Sequence, residues 1–294
     1  MATRHARHEN SSMTQILKVT VLTRVALIAA AVITWAPSPS HAQNLPADDQ
    51  GAVERLNTSP RHGEWVKYDA GSGDNVTAWV VYPQRPDPAP VVIVMHEIYG
   101  LTDWVRGIAD QLAAEGFIAV APDLLSGKGP DGGGSESVDR QGAVRLIRGL
   151  DKAELARRFE AAAAYGTSLS AATDRVGSIG FCWGGRQSFD FAATLPDLKA
   201  AVVYYGTSPG PEALARVNAR VLGNYGGDDA RVNADIAPTR QTMSSLGKSY
   251  EANTYDGAGH GFLRAQQDRN GANLRASELA WPRTVAFLRA ALEE

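Results

Sequence analysis

A lone cysteine, Cys182, carries the clearest chemistry in this chain. It lies in Gly180-Phe181-Cys182-Trp183-Gly184-Gly185, directly after the apolar run Val176 to Phe181. An apolar run that stops at one reactive side chain and continues into paired glycines predicts a buried strand turning sharply into a helix. This is a nucleophile elbow, with sulfur where Gly-x-Ser-x-Gly has oxygen, and its glycines are required because the tight turn leaves no room for Cβ atoms. The amides at the N-terminus of the following helix are expected to favour a thiolate and, later, an oxyanion. Beyond residue 42 the chain keeps three histidines, His62, His96 and His260. Only His260 sits among glycines, in Gly257-Ala258-Gly259-His260-Gly261-Phe262, which lets a loop bring its ring close to a nucleophile. Asp228 and Asp229 follow Tyr225-Gly226-Gly227, and one of the two is expected to orient His260; residue types alone do not choose between them. His96-Glu97-Ile98-Tyr99-Gly100 ends another apolar run. There the Ile98 amide is expected to pair with that of Trp183 as an oxyanion hole, a donor set in which one member is worth about 2.7–4 kcal/mol of transition-state stabilisation. Glu97 beside the thiol should oppose thiolate formation unless it serves as the base.

These residues need a frame that gathers them. Trp65 to Tyr68 and Val76 to Tyr82 flank Gly71-Ser72-Gly73-Asp74-Asn75 and predict an antiparallel hairpin. From Val91 onward, strand and helix patterns alternate. Strands are expected at 91–95, 118–121, 176–181, 200–205, 219–225 and 249–255. Helices are expected at 103–115, 138–149, 152–165, 184–195, 211–215, 234–246 and 276–292. Such alternation implies an α/β fold, a mostly parallel sheet with helices on both faces and the hairpin at one edge. Reactive groups then collect just past the carboxyl ends of the strands, where Cys182, the aspartates, His260 and Glu97 all fall. The chain order nucleophile, acid, histidine is that of the α/β-hydrolase fold.

Composition sets the limits on partners. The 294 residues are 44% hydrophobic and 21% charged, a balance that supports a sizeable core. Arg24 precedes the apolar stretch Val25 to Trp35, followed by prolines and Ser40-His41-Ala42, so residues 1–42 read as a signal peptide cleaved after Ala42. Met13 offers a second, more compact start. The apolar stretch is too short to span a bilayer, which takes roughly 20 residues. Removing Arg4, Arg7, Lys18, Arg24 and Glu9 with it leaves 25 basic and 31 acidic residues, a formal charge of −6. That charge invites neither nucleic acid nor an anionic membrane. A single cysteine makes no internal disulfide, so a thiol retained in an exported protein points to chemistry. Residues 43–62, polar and without apolar period, are expected to be a linker, and 63–294 one domain, a monomer in the periplasm or secreted. No cofactor is implied and no metal-ligand spacing is present.

With Gly180 to Gly185, His96 to Gly100, Gly226-Gly227-Asp228-Asp229 and Ala258 to Phe262 taken together, residues 76–292 resemble the dienelactone hydrolase (carboxymethylenebutenolidase) family. The resemblance implies a Cys182, Asp229, His260 triad. It also implies a resting thiol held neutral beside Glu97, until an anionic substrate displaces that carboxylate so that it can deprotonate the sulfur. It assigns the substrate carboxylate to two arginines, which fall on Arg140 and Arg264; arginine suits the task because of its planar, bidentate fork. The chain departs from the family pattern at Val144 and Ile147, where aromatics are usual, at His96 before Glu97 and at Gly261 after His260. The expected activity is opening of a lactone or small enol ester through a thioester on Cys182. The alternatives are a broad-specificity carboxylesterase or thioesterase on the same site, and a non-catalytic binding protein that retains the fold.

Overall fold

The structure is a computed structural model, and it describes residues 45–293. The expected signal peptide lies outside the described residues.

The chain begins with a short helix α1 (Ala52–Thr58) and the hairpin β1 (Gly63–Asp69) and β2 (Asn75–Val81). The hairpin is antiparallel, in register from Gly63 opposite Val81 to Asp69 opposite Asn75. Strands and helices then alternate as the hydrophobic pattern requires. They are β3 (Ala89–Met95), α2 (Asp103–Ala114), β4 (Ile118–Pro122), α3 (Arg140–Arg148), α4 (Lys152–Ser168), β5 (Ala172–Phe181), α5 (Trp183–Ala192), β6 (Ala200–Tyr204), α6 (Pro211–Leu214), β7 (Arg220–Gly226), α7 (Ala230–Asn233), α8 (Ile236–Ser245), β8 (Tyr250–Tyr255) and α9 (Ala272–Leu292). The described strands form one sheet in the order β1-β2-β4-β3-β5-β6-β7-β8. The hairpin joins it through an antiparallel pairing of β2 with β4, and every later pairing is parallel.

Every residue of β3 is buried because both sheet faces are covered. Its side chains alternate between two cores: Val92 and Val94 pack with Trp104, Leu112, Trp281 and Leu288 of α2 and α9. Val91, Ile93 and Met95 face Phe159, Phe189 and Met243 of α4, α5 and α8. Each such aliphatic side chain contributes about 1.5–3 kcal/mol when fully removed from water. The central strands are therefore the rigid part of the molecule, and their carboxyl ends are fixed points from which loops can aim side chains.

One expectation is corrected. Residues 45–58, expected to be linker, fold onto the body of the domain. Leu45 and Ala52 enter the α2 and α9 core, Pro46 O accepts from Gln266 Nε2 at 2.9 Å, and Asp49 N–H donates to Arg264 O at 2.9 Å. The segment is held mainly by backbone and side-chain polar bonds, with Leu45, Pro46 and Ala52 its buried apolar residues, so it carries no apolar period that a sequence pattern could reveal. The closing helix also starts a turn earlier than expected, at Ala272, behind Gly271 in the left-handed region (φ 80°).

Candidate active site

Strand β5 delivers Cys182 to the crest of the elbow in a strained backbone conformation, φ 57° and ψ −115°, rare for a residue with a side chain. Its N–H donates to Tyr204 O of β6 at 3.0 Å, which pins the turn to the sheet. The flanking glycines are there for space. A Cβ on Gly180 would lie 1.9 Å from Gly184 O, and one on Gly184 would lie 2.3 Å from Met95 O. The chain thus passes between β3 and β6 with backbone against backbone, and the sulfur is left half-buried at the start of α5.

The thiol is protonated at rest, against the expectation that the helix N-terminus would favour a thiolate. Burial, and then the charge of Glu97, push its pKa up to about 11, and the Trp183 amide, Arg231 and Arg264 offset this only in part. A helix end supplies a partial charge; burial and a whole negative charge outweigh it. The Trp183 amide nonetheless faces the sulfur, as the expected oxyanion donor would. Ile98 lies in the turn closed by Gly100 N–H to Glu97 O at 3.3 Å, at the end of β3, the strand paired directly with β5.

Glu97 is almost fully buried, and burial pushes its carboxyl up to about 7 despite the attraction of Arg264. Arg264 Nε lies 2.8 Å from Glu97 Oε2, with its N–H directed off the line between them, so the contact is an ion pair rather than a well-aligned hydrogen bond. The neighbouring His96 has both ring nitrogens engaged by backbone groups. It is fully buried, and burial lowers its pKa, so the ring is neutral. Nε2 accepts from Leu124 N–H at 3.2 Å, which leaves the proton on Nδ1 to donate to Glu97 O at 2.7 Å. The ring also stacks on Trp183, with centroids 5.6 Å apart. His96 therefore clamps the backbone that carries both oxyanion-donor candidates.

His260 Nδ1 lies 2.5 Å from Asp229 Oδ2, and Asp229 is buried while the ring is about one-third exposed. Its neighbour Asp228 turns outward to Arg269 at 2.7 Å. The geometry thus separates two aspartates that residue types could not. Tyr205, at the end of β6, escaped the sequence reading. Its ring centroid is 5.1 Å from that of His260, it is 1% exposed with φ 40°, and its hydroxyl has no partner among the described residues. Burial, with the charge of Glu97 beside it, keeps this phenol protonated. The available signal was topological, since β6 lies between β5, which leads into Cys182, and β7, which leads into Asp229. Arg231 was also missed, and acts on the thiol through its charge alone.

Arg140 opens α3, whose N-cap Asp139 accepts from Gly142 N–H at 2.7 Å. Arg140 and Arg264 do converge, with guanidinium carbons 4.8 and 5.6 Å from the centre of the Tyr99 ring. Both also face an internal carboxylate, Asp49. Elsewhere, a cleft of about 580 Å3 between α4, α5 and α6 holds Arg186 and Asp190. These are paired with each other at 2.7 Å, and neither Cys182 nor His260 lines that cleft. Among the described residues no group of three His, Cys, Asp or Glu side chains converges as metal ligands, and no helix is long and apolar enough to cross a membrane.

The sheet order with a strained elbow at the end of its fifth strand defines an α/β-hydrolase. The chain belongs to the dienelactone hydrolase family, whose model matches residues 76–292, and so to the hydrolases of esters and lactones. Two relatives carry the name "Putative carboxymethylenebutenolidase". That of Escherichia coli is 33% identical over 206 residues, covering 65% of this chain and 74% of the relative. That of Saccharolobus solfataricus is 31% identical over 256 residues, covering 76% and 97%. The crystal structure of a "Putative Dienelactone Hydrolase" from Klebsiella pneumoniae superposes with a TM-score of 0.66 at 27% identity, over 77% of this chain and 98% of that one.

Proposed function

We propose that the protein opens lactones or small activated esters by covalent catalysis on Cys182, with His260 oriented by Asp229. The observation that carries this reading is the 2.5 Å contact of His260 with Asp229, in a site where a strained elbow presents a thiol under the charge of Glu97. Buried beside an ionised Glu97, the thiol holds its proton more tightly than the carboxylate would, so transfer between them is uphill at rest. The resting sulfur is therefore quiescent. Attack becomes accessible when Glu97 leaves Arg264, takes the thiol proton, and the negative charge passes to an oxyanion held by the Ile98 and Trp183 amides. Collapse of that adduct breaks the acyl–oxygen bond and leaves a thioester on Cys182, while the departing oxygen takes from Glu97 the proton that came from the thiol. Water then attacks the thioester as His260 accepts its proton, and the imidazolium passes that proton to the departing sulfur, so that the thiol, the Glu97 carboxylate and the neutral His260 all return. Activated enol esters fit this scheme better than amides, because their leaving groups depart without strong acid assistance. Export with loss of residues 1–42 belongs to the same proposal and rests on the sequence.

A panel of lactones and 4-nitrophenyl esters tests the reading. Cys182→Ala and Asp229→Asn are each expected to lower kcat/KM by at least about 100-fold while the fold is retained. Activity unchanged in Cys182→Ala would remove covalent catalysis from the account.

A further inference from the structure

The cationic end of the site is already occupied by the protein itself. Asp49 Oδ2 lies 2.8 Å from a terminal nitrogen of Arg140 and 3.7 Å from one of Arg264, so a single carboxylate oxygen bridges the two guanidiniums that flank Tyr99. This carboxylate is placed by the fold and does not dangle. Asp49 N–H is bonded to Arg264 O, Asp48 Oδ1 accepts from Gly51 N–H at 3.0 Å, Gln266 holds Pro46 O, and Leu45 and Ala52 are buried on either side. The cluster adjoins Cys182, because Arg264 also lies 2.8 Å from Glu97, the carboxylate whose charge bears on the thiol, and both arginines flank Tyr99, two residues on from Glu97.

We propose that Asp49 is the specificity-determining residue of this site, pairing with Arg140 and bridging to Arg264, which Glu97 also pairs, so that the ester or lactone accepted carries no carboxylate at that end. The proposal rests on the hydrolase reading above. A substrate carboxylate directed at the arginines would have to displace one that backbone bonds hold in place, or share the space with it at like-charge repulsion. An uncharged acyl chain meets a balanced surface of Tyr99 and paired side chains instead.

The test compares 4-nitrophenyl hexanoate with the 4-nitrophenyl monoester of adipate, acyl groups of equal length that differ by one terminal carboxylate. The wild-type protein is expected to favour the hexanoate in kcat/KM by at least about tenfold. In Asp49→Asn the adipate-to-hexanoate ratio is expected to rise by at least about tenfold. In Asp48→Asn, which removes the same charge one residue away, the ratio is expected to stay within about twofold. A wild-type preference for the adipate ester, or a ratio unmoved in Asp49→Asn, overturns the proposal. Calorimetric titration with free adipate separates this from the hydrolase reading. Binding gained only in Asp49→Asn supports Asp49 as the occupant even if neither ester is turned over, an outcome that would discard the hydrolytic reading alone. Equal adipate binding by wild type and Asp49→Asn contradicts the role given to Asp49.

Discussion

At the scale of single residues, burial and a neighbouring carboxylate keep the Cys182 thiol in its protonated, unreactive form. The Cys182 thiol is raised to about 11 by burial and by Glu97, so its thiolate fraction should grow through the window from 9 to 11 instead of saturating near neutrality. Alkylation by iodoacetamide, followed on the one cysteine of the sequence, is therefore expected to accelerate from pH 8 to pH 10 without a plateau. Glu97→Gln removes the negative charge and should speed alkylation above pH 7, where Glu97 is ionised, with little change below about pH 6, where it is already protonated. A wild-type plateau near pH 7 would show a resting thiolate. The sequence pattern placed Cys182, Glu97 and His260 correctly at strand ends, because glycine spacing and apolar runs are local signals. It could not weigh burial against helix end for the thiol, because that balance depends on which groups the fold stacks around the sulfur. Asp228 and Asp229 make the same point: adjacent, chemically identical side chains are separated only by the direction in which β7 releases them.

Elements position the site through backbone contact, and the elbow is the tightest case. A methyl on Gly180 would fall 1.9 Å from the carbonyl of Gly184, an overlap that side-chain adjustment cannot relieve. Gly180→Ala should cost about 3 kcal/mol in urea unfolding, at the upper end of ordinary overpacking, and should lower activity by displacing the Trp183 amide. A change under about 0.5 kcal/mol would mean that the turn has room that this packing denies. The parallel strands were legible because each is a continuous apolar run, with both faces buried against helices. α1 was not legible, since its seven residues bury only Ala52, and what secures the segment before it is backbone bonding to the loop around Arg264 and Gln266. The polar residues that suggested a linker, Asp48 and Asp49 among them, are the ones that dock it.

Across the whole molecule, one buried cation ties hairpin, helix and loop together. Arg158 is 2% exposed; it pairs with Asp74 of the hairpin turn at 2.6 Å and with Glu154 at 3.0 Å, and donates to Leu124 O at 2.8 Å and Ser126 O at 3.0 Å. Arg158→Met should destabilise by about 3–5 kcal/mol, because it leaves the Leu124 and Ser126 carbonyls without their donor and Asp74 without its nearest cation, while leaving kcat of the folded fraction near wild type. The hydrogen bond from Arg158 also holds the Asp74 carboxyl below the usual carboxylate range. This stabilisation is present above the ordinary aspartate pKa and is lost as the pH falls through the depressed value, so the wild-type advantage over Arg158→Met should shrink on acidification. Covalent catalysis, as proposed above, has one signature across the whole reaction: an acyl group carried on Cys182 between substrate and water. It is tested most directly by mass spectrometry of His260→Ala quenched during incubation with 4-nitrophenyl hexanoate. A hexanoyl mass is expected on the peptide containing Cys182, removable by hydroxylamine. An acyl mass on another residue, or hexanoate released with Cys182 unmodified, would contradict it.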